Sequence, residues 1–226
     1  MNHLKSMFPA PDQADENGIV ACSRGITCEM LMDSYYHGIF PWPFGEEYQV
    51  IPWCAPLMRG VLMLDEFHIP ASFQREMKKN RFTCRIDSCF EEVIRSCAAA
   101  VRPEADGTWI TQEVIRAYCQ FHEMGYAHSF ETFDAEGKLV GGLYGISCGR
   151  VFCGESMFYK VSGASKFAFV KMIETLKQHD VVLVDTQMVT NATRSFGAKE
   201  IPSAEYIKLL KQYRGKTVSF FAADPA

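Results

Sequence analysis

The sequence lacks the cysteine and histidine spacings that mark a zinc site. It contains 9 cysteines, but no CxxC and no HxxxH motif, which are the usual signatures of structural and catalytic zinc. A metal site is therefore not expected. The cysteines are interpreted as small buried hydrophobic residues of a protein that is kept reduced.

Positive charge is also scarce. The 23 Lys and Arg residues face 27 Asp and Glu residues, for a net charge of −4, which argues against general nucleic-acid binding but not against a local basic patch. No apolar run approaches the ~20 residues that span a bilayer. Residues 1–10 do not resemble a secretory signal, so we expect a cytoplasmic protein. Its 226 residues suffice for one core, or for two domains that share an interface.

Hydrophobic spacing and capping residues predict an α+β fold. Three consecutive strands form an antiparallel meander, and a helix and a short buried strand follow, which is typical of an acetyltransferase-like core. In segment 38–45 two prolines and two glycines exclude a regular element, yet its aromatic residues indicate a packed loop or a binding surface. Helices are predicted at 27–36, 72–80, 90–100, 111–124, 164–178 and 203–213, and strands at 61–64, 82–86, 127–133, 139–147, 151–159 and 181–185.

Two predicted strands carry candidate reactive groups. Asp185 ends a buried strand, and Gln187 points to the same side of an extended chain, so the pair can orient one substrate group. The spacing alone favours a plainer role, in which Asp185 caps the following turn. On its strand, alternation places Glu155 beside Met157. A carboxylate among apolar residues needs a partner, either an amine or a structural salt bridge.

Further candidates are basic, glycine-rich and aromatic. Three glycines at 141, 142 and 145 interrupt a strand and predict a bulge or a close approach to the backbone. Trp42 and Trp109 either stack on a nucleobase or belong to the core. A basic cluster either holds phosphates or forms a solvated face; its members are Arg75, Lys78, Lys79 and Arg81.

Taken together, ordered segments of the sequence resemble the leucyl/phenylalanyl-tRNA–protein transferase family. No single motif decides this, but the ordered set, which spreads from about residue 25 to 213, is very specific. The matching segments are GIFPW at 38–42, TWI at 108–110, AY with H and G at 117–125, AHSFE at 127–131, LVGGLYG at 139–145, FCGESMF at 152–158, ASK at 164–166, VDTQ at 184–187 and FGAKEIP at 196–202.

The resemblance implies a fold and a reaction. The fold is a small N-terminal domain, residues 1–62, and an acetyltransferase-like (GNAT-like) catalytic domain, residues 63–226, with a mixed, mostly antiparallel sheet. The reaction moves Leu or Phe, and by pocket chemistry also Met, from aminoacyl-tRNA onto a protein with N-terminal Arg or Lys. It needs neither ATP nor metal nor another cofactor. The new N-terminal residue marks the acceptor for degradation under the N-end rule.

The resemblance also assigns roles to residues. It makes Asp185, Gln187 and Glu155 the catalytic group. Trp42 and Trp109 would border the 3′-terminal adenosine, and apolar side chains would line the pocket for the transferred amino acid: Leu143, Met157, Phe169, Met172 and Val184. The basic cluster would contact the tRNA acceptor stem through phosphates, independently of tRNA identity.

Three alternatives remain. Serine at 203 and alanine at 71 stand where the family usually has arginine, which allows a diverged transferase with another donor or acceptor preference. A CoA-dependent N-acetyltransferase shares the implied fold, but its pyrophosphate loop has its nearest match at 194–199, after a later strand than expected. A non-catalytic adaptor that binds basic N-termini would need the two carboxylates but not the apolar pocket. The reaction requires no symmetry, so a monomer is expected.

Overall fold

A computed structural model describes residues 6–43, 50–100 and 108–215. Within these ranges the chain forms two sheets. A three-stranded sheet has the order β1-β3-β2, and a seven-stranded sheet has the order β10-β4-β9-β8-β7-β6-β5. The strands are β1 Ile19–Ser23, β2 Phe40–Pro41, β3 Ile51–Cys54, β4 Met58–Met63, β5 Thr83–Ile86, β6 Ala127–Phe133, β7 Leu139–Cys148, β8 Val151–Tyr159, β9 Leu183–Gln187 and β10 Lys199–Pro202.

Seven α-helices accompany the sheets in the described part of the chain. Thr27 and Thr111 begin two of them as predicted, each accepting a hydrogen bond from a backbone N–H of the first turn. The helices are α1 Cys28–Tyr36, α2 Ala71–Met77, α3 Phe90–Ala99, α4 Gln112–Glu123, α5 Ala164–Gln178, α6 Asn191–Arg194 and α7 Ser203–Tyr213. None of the described helices is long and apolar enough to cross a membrane.

The predicted meander is the centre of the large sheet. β6, β7 and β8 pair antiparallel in sequence order, α5 packs across them, and β9 returns parallel to β8. All other pairs in this sheet are antiparallel. The predicted class is therefore confirmed: an α+β protein with a mixed, mostly antiparallel sheet and the strand–helix–strand order of an acetyltransferase-like core.

The parallel pair separates before its strands end. Pairing of β8 with β9 runs from Val151–Leu183 to Cys153–Asp185 and stops there. Each strand continues for at least two residues beyond the last pair. An opening between two neighbouring strands of the sheet is the result, and it positions the site described below.

Close packing on both sides of the sheet explains the glycines of β7. A Cβ added at Gly141 would lie 2.6 Å from the Cβ of Ala164 in α5, and one at Gly145 would lie 2.4 Å from the carbonyl oxygen of Cys153. The register also shifts between Tyr144 and Gly145, which confirms the predicted bulge. The neighbours that come close are α5 and β8.

The sequence-based assignment missed several elements. It gave no strand before residue 61, whereas β1, β2 and β3 form a sheet there, and β10 and α6 were also not predicted. Phe40 and Pro41 form a two-residue strand opposite Cys54 and Trp53, so the prediction that the prolines and glycines exclude a regular element is wrong for these two residues. The missed strands β2 and β10 are each at the edge of a sheet, and they form only through tertiary pairing with another strand. Residues 44 and 45 of that segment lie outside the described residues.

The two sheets share one core. A buried cluster contains Tyr35 and Trp53 from the first part of the chain together with Tyr118 and Tyr144 from the second. β4 itself crosses residue 62 and lies between β10 and β9. The division into domains at residue 62 stays a prediction.

Candidate active site

The opening between β8 and β9 brings two of the predicted catalytic residues together. Glu155 and Gln187 each lie two residues past the last paired position of their strand. The Gln187 Nε2 donates to the Glu155 Oε1 at 3.1 Å. The Gln187 backbone is left-handed, with φ of 52°, a conformation that costs energy for a residue other than glycine and is concentrated at functional sites.

Asp185, the third predicted catalytic residue, is sealed inside the protein. Its side chain is fully buried, and both carboxylate oxygens are occupied by donors. The Arg59 Nε and Nη2 donate to Oδ1 and Oδ2 at 2.8 and 2.6 Å. The Gln187 backbone N–H also donates to Oδ1, and the Tyr206 hydroxyl to Oδ2. Asp185 thus fixes Gln187 and presents no free oxygen to a substrate in this arrangement.

Arg59 is a central residue that the sequence reasoning missed. It is 1% exposed, and its guanidinium lies 4.5 Å from the centre of the Phe40 ring and 4.6 Å from that of Tyr206. Burial opposes its charge, but the adjacent Asp185 carboxylate outweighs burial and raises the pKa of Arg59. The only signal in the sequence was a single cationic residue just before the apolar strand predicted to begin at Val61. Identifying Asp185 as the partner of Arg59 required knowledge that β4 pairs with β9.

Glu155 lies in a different environment. It is partly accessible to solvent, and the Tyr118 hydroxyl donates to its Oε2 at 3.3 Å. Desolvation raises the pKa of Glu155 from 4.5 to about 8, against the lowering effect of the Tyr35 and Tyr118 hydroxyls. The carboxyl therefore exchanges its proton near neutral pH, where a group that moves protons is most effective.

The bulge in the meander corrects the expected alternation along β8. Glu155 contacts Tyr118, which belongs to the core on the α4 side, whereas Met157 packs against the core beneath α5. The two side chains do not share a face because the register shift lies opposite Glu155. Strand alternation alone cannot locate such a shift.

Two tyrosines complete the surroundings of Glu155. Tyr35 on α1 and Tyr118 on α4 are fully buried and their hydroxyl groups are hydrogen-bonded to each other. Desolvation, followed by the nearby Glu155 carboxyl, raises the pKa of both phenols well above the ordinary value. They remain protonated and act as donors. The sequence offered no signal for them beyond their positions on two amphipathic helices.

The two predicted adenosine-binding tryptophans meet in space. The rings of Trp42 and Trp109 are stacked, with centroids 5.8 Å apart and planes inclined by 13°. Trp42 follows β2 and Trp109 precedes the Thr111 cap of α4. Both are half-buried, so the stack retains an accessible surface.

The five predicted pocket residues lie in one region, where α5 packs against the large sheet. Four are buried in the same core cluster, and the fifth, Met157, packs against it while remaining partly exposed. Met157 also lines a cleft of about 930 Å³ whose walls include Arg75 and Lys79. The four buried residues are Leu143, Phe169, Met172 and Val184.

The basic cluster surrounds one carboxylate. Lys79 and Arg81 donate to Glu76 at 2.6 and 2.8 Å, and all four cationic side chains are exposed. α2 ends at Met77, so the helix is shorter than predicted, and Lys78 and Lys79 lie beyond its end together with Arg81. Arg75 and Lys79 face the cleft, while Lys78 and Arg81 are not among its lining residues.

The AHSFE segment builds a separate polar cluster. The His128 ring and the Ser129 backbone N–H both bond the Asp87 carboxylate at 2.8 Å. The Ser129 hydroxyl bonds Glu131, which is fully buried and whose pKa is raised by desolvation. These contacts hold the left-handed Asp87 at the start of the β5–α3 connection, which is a structural role.

Comparison with known proteins shows the class of the protein first. Residues 61–211 match the family model described as leucyl/phenylalanyl-tRNA protein transferase, and the protein is an aminoacyltransferase. The chain belongs to the leucyl/phenylalanyl-tRNA–protein transferase family, as its resemblance predicted. The family name implies an aminoacyl-tRNA donor and a protein acceptor.

Relatives cover nearly the whole chain. The leucyl/phenylalanyl-tRNA–protein transferase of Anaeromyxobacter sp. (strain Fw109-5) is 44% identical over 203 residues, 90% of this chain and 85% of the relative. That of Pseudomonas entomophila (strain L48) is 44% identical over 208 residues, 91% of this chain and 90% of the relative. The solved structure of L-PGS from Bacillus licheniformis aligns with a TM-score of 0.42 at 13% identity, over 78% of this chain and 55% of that one.

Proposed function

We propose that the protein transfers leucine or phenylalanine, and also methionine, from aminoacyl-tRNA to the N-terminal Arg or Lys of acceptor proteins, which marks them for degradation. It acts in the cytoplasm as a monomer and needs no cofactor. The observation that carries this proposal is the Glu155–Gln187 pair at the opening between β8 and β9. It is a partly accessible carboxyl, held by a carboxamide, beside the residues that match the family's donor site.

The proposed reaction is aminolysis of an ester. The α-amine nitrogen of the acceptor bonds to the carbonyl carbon of the aminoacyl group, and the bond from that carbon to the ribose oxygen breaks. One proton leaves the nitrogen, and the released ribose oxygen takes up one proton to become the free hydroxyl. Because the ester is already activated, the enzyme needs to align the reactants and move this proton.

Glu155 is the residue proposed to handle the proton. Its pKa of about 8 is close to that of a free α-amine, ~8, so the proton passes between them with little change in free energy. The carboxylate also attracts the cationic acceptor terminus. Gln187 holds one carboxyl oxygen and the Tyr118 hydroxyl the other, which fixes the direction in which Glu155 presents its proton.

Asp185 is proposed to act through Gln187. Its oxygens are filled by Arg59, Tyr206 and the Gln187 backbone N–H, and this network holds the left-handed turn that aims the Gln187 carboxamide at Glu155. Asp185 and Arg59 are then positioning residues, and Glu155 and Gln187 are the residues that contact the reactants.

The aminoacyl-tRNA donor is proposed to contact residues on both sides of the opening between β8 and β9. The Trp42–Trp109 stack would border the terminal adenosine, and the apolar residues beneath α5 would receive the transferred side chain. An apolar pocket separates side chains that differ by a methylene by only about 1–3 kcal/mol, so relaxed choice among Leu, Phe and Met follows. The basic cluster on and after α2 would contact tRNA phosphates.

The proposed organisation is a small domain, residues 1–62, and a catalytic domain, residues 63–226, joined by a shared core. Arg59 and Phe40 from the first part contribute to the site in the second. The two parts are therefore proposed to fold together.

The experiment that tests the function is transfer of labelled leucine from charged tRNA to a peptide with N-terminal Arg. Robust transfer is expected, together with transfer of Phe and Met, and none to the same peptide with an acetylated N-terminus. Glu155→Gln is expected to lower the rate at least ~100-fold, the usual contribution of a proton-transfer group. Glu174→Gln, which alters an exposed carboxylate of α5, is the matched control.

The alternatives give different results. Absence of transfer from Leu-, Phe- and Met-tRNA by the folded protein would overturn the proposal. Turnover of acetyl-CoA in its place would indicate an N-acetyltransferase, and peptide binding without transfer would indicate an adaptor. Transfer from a different charged tRNA, or to a different N-terminal residue, would indicate a diverged transferase.

A further inference from the structure

The first turn of α5 opens into the cleft that Met157 and the basic cluster share. Ser162, Gly163, Ser165 and Lys166 line it from one side, and Arg75, Glu76 and Lys79 from the other. No role has been given above to these four residues at the start of α5. Their arrangement differs from that of an ordinary capped helix and indicates a ligand.

The helix end carries no side-chain cap. Its N-cap residue is Gly163, with φ of 86°, and no side chain accepts a hydrogen bond from the first turn. The first intrahelical bond runs from the Phe167 N–H to the Gly163 carbonyl oxygen. The backbone N–H groups of Ser165 and Lys166 precede it, so they have no acceptor within the helix. Such an end of a 15-residue helix favours an anion.

Ser165 provides the second, independent observation. The residue is only 7% exposed, and it lines the cleft. Its hydroxyl makes no hydrogen bond within the described residues, so it is available to a ligand that enters the cleft. The Ser165 hydroxyl, at a helix N-terminus and on the wall of a cleft, can donate a hydrogen bond to an oxygen atom of a ligand.

The charge of the residues that line the cleft also favours an anionic ligand. Three cationic side chains line it, Arg75, Lys79 and Lys166, against one carboxylate, Glu76, so the lining carries a net charge of +2. Glu76 is already bonded to Lys79, while Arg75 and Lys166 make no ion pair within the described residues. The chain as a whole has a net charge of −4, so the cleft is a local reversal of sign.

We propose that the first turn of α5 is a phosphate subsite, formed by the Ser165 and Lys166 backbone N–H groups, the Ser165 hydroxyl and the Lys166 and Arg75 side chains. This inference rests on the proposed function and names its ligand: the phosphodiester next to the 3′-terminal adenosine of the donor. Met157 lines the cleft and also packs against the core cluster that contains the proposed pocket residues. The cleft therefore adjoins the region proposed to receive the transferred side chain of the same donor.

The test compares two small donors in place of tRNA. 3′-O-Leucyl-adenosine contains no phosphodiester, and 3′-O-leucyl-CpA contains one. Wild-type protein is expected to show a KM roughly tenfold lower for the second donor, the effect of one or two charge-assisted hydrogen bonds. Ser165→Ala, which changes no charge, and Lys166→Ala are each expected to remove most of this advantage while changing the KM for leucyl-adenosine less than about twofold. Lys171→Ala, on the same helix but paired with Glu174, retains it.

The outcomes separate the two proposals. If wild-type protein uses neither small donor nor charged tRNA, the proposed function fails. If it uses both small donors with equal KM, or if Ser165→Ala and Lys166→Ala preserve the preference for leucyl-CpA, the phosphate subsite is wrong and the function stands. Equal loss with both donors in a folded variant would assign Ser165 to the structure of the helix end.

Discussion

At the residue scale, two carboxyl groups that are both hydrogen-bonded to Gln187 have opposite environments. Asp185 is surrounded by donors, including the Arg59 guanidinium, and has no accessible oxygen. Glu155 has two neutral donors and some exposed surface. The first environment holds the carboxylate in one position, and the second raises the pKa of Glu155 so that it exchanges a proton. From the sequence both were simply carboxylates in strands.

The raised pKa of Glu155 predicts a pH dependence of stability. The folded protein retains a proton that the unfolded chain releases, from a pKa of 4.5 unfolded to about 8 folded. The free energy of unfolding therefore falls as the pH rises through that interval. Glu155→Gln cannot ionise and is expected to lose this decline. Urea unfolding between pH 5 and pH 8.5 measures it, with Glu174→Gln as control; equal slopes for wild type and Glu155→Gln would show that Glu155 titrates normally.

The Arg59–Asp185 pair predicts a separation of stability from activity. Arg59→Met leaves a buried, unpaired carboxylate and is expected to destabilise the protein by about 3–5 kcal/mol. Adding Asp185→Asn removes that charge and should recover much of the loss, while transfer stays impaired because Gln187 is less firmly held. Urea unfolding and leucine transfer measure the two effects. A stable double variant with wild-type transfer would show that the pair is not needed to position Gln187.

At the element scale, the site depends on the pairing of β4 with β9. The register of this pair shifts between Gly60 and Val61, opposite the segment that ends in the left-handed Gln187. β4 carries Arg59, and β9 carries Asp185, so the shift brings the two side chains together. The opening between β8 and β9 then leaves Gln187 free to reach Glu155.

The pairing of β4 with β9 leaves no space for a side chain at Gly60. A Cβ added there would lie 2.6 Å from the backbone carbon of Met188 and 2.8 Å from the Thr186 Oγ1. Gly60→Ala is expected to cost about 1–3 kcal/mol and to lower transfer by displacing Gln187. Thermal unfolding and transfer rate measure this. Gly215→Ala, where an added Cβ meets nothing within 4 Å, is the control, and normal transfer by Gly60→Ala would mean that the turn can move without consequence.

At the scale of the whole molecule, the catalytic network crosses the predicted domain boundary. Arg59 and Phe40 precede the matched family region, residues 61–211, and β4 lies between β10 and β9. Removing the first part would expose both neighbouring strands and leave Asp185 without its cation.

A fragment of residues 64–215 is therefore expected to lack both a cooperative unfolding transition and leucine transfer. Circular dichroism melts and the transfer assay test this, with the full chain as control. Adding residues 6–63 as a separate peptide is expected to restore some transfer if the fragments assemble. A fragment that melts cooperatively alone would show that the catalytic domain folds independently.

The sequence by itself determined the local elements and the inventory of reactive groups. Thr27 and Thr111 predicted helix starts, the glycines of β7 predicted an irregularity in the meander, and the ordered motifs identified the family. These features are local because caps, periodicity and glycine positions act over a few residues. The grouping of Glu155 with Gln187 was also predicted, through the family resemblance, although Glu155 lies in the middle of its strand.

Tertiary structure alone decided which groups contact each other and which remain accessible. The three-stranded sheet, the Arg59–Asp185 pair and the Tyr35–Tyr118 contact join residues between 12 and 126 positions apart, which no local pattern encodes. The bulge that turns Glu155 away from Met157 depends on the register of β7. Burial, finally, is a property of the assembled core, so only the folded chain distinguishes the sealed Asp185 from the exchangeable Glu155.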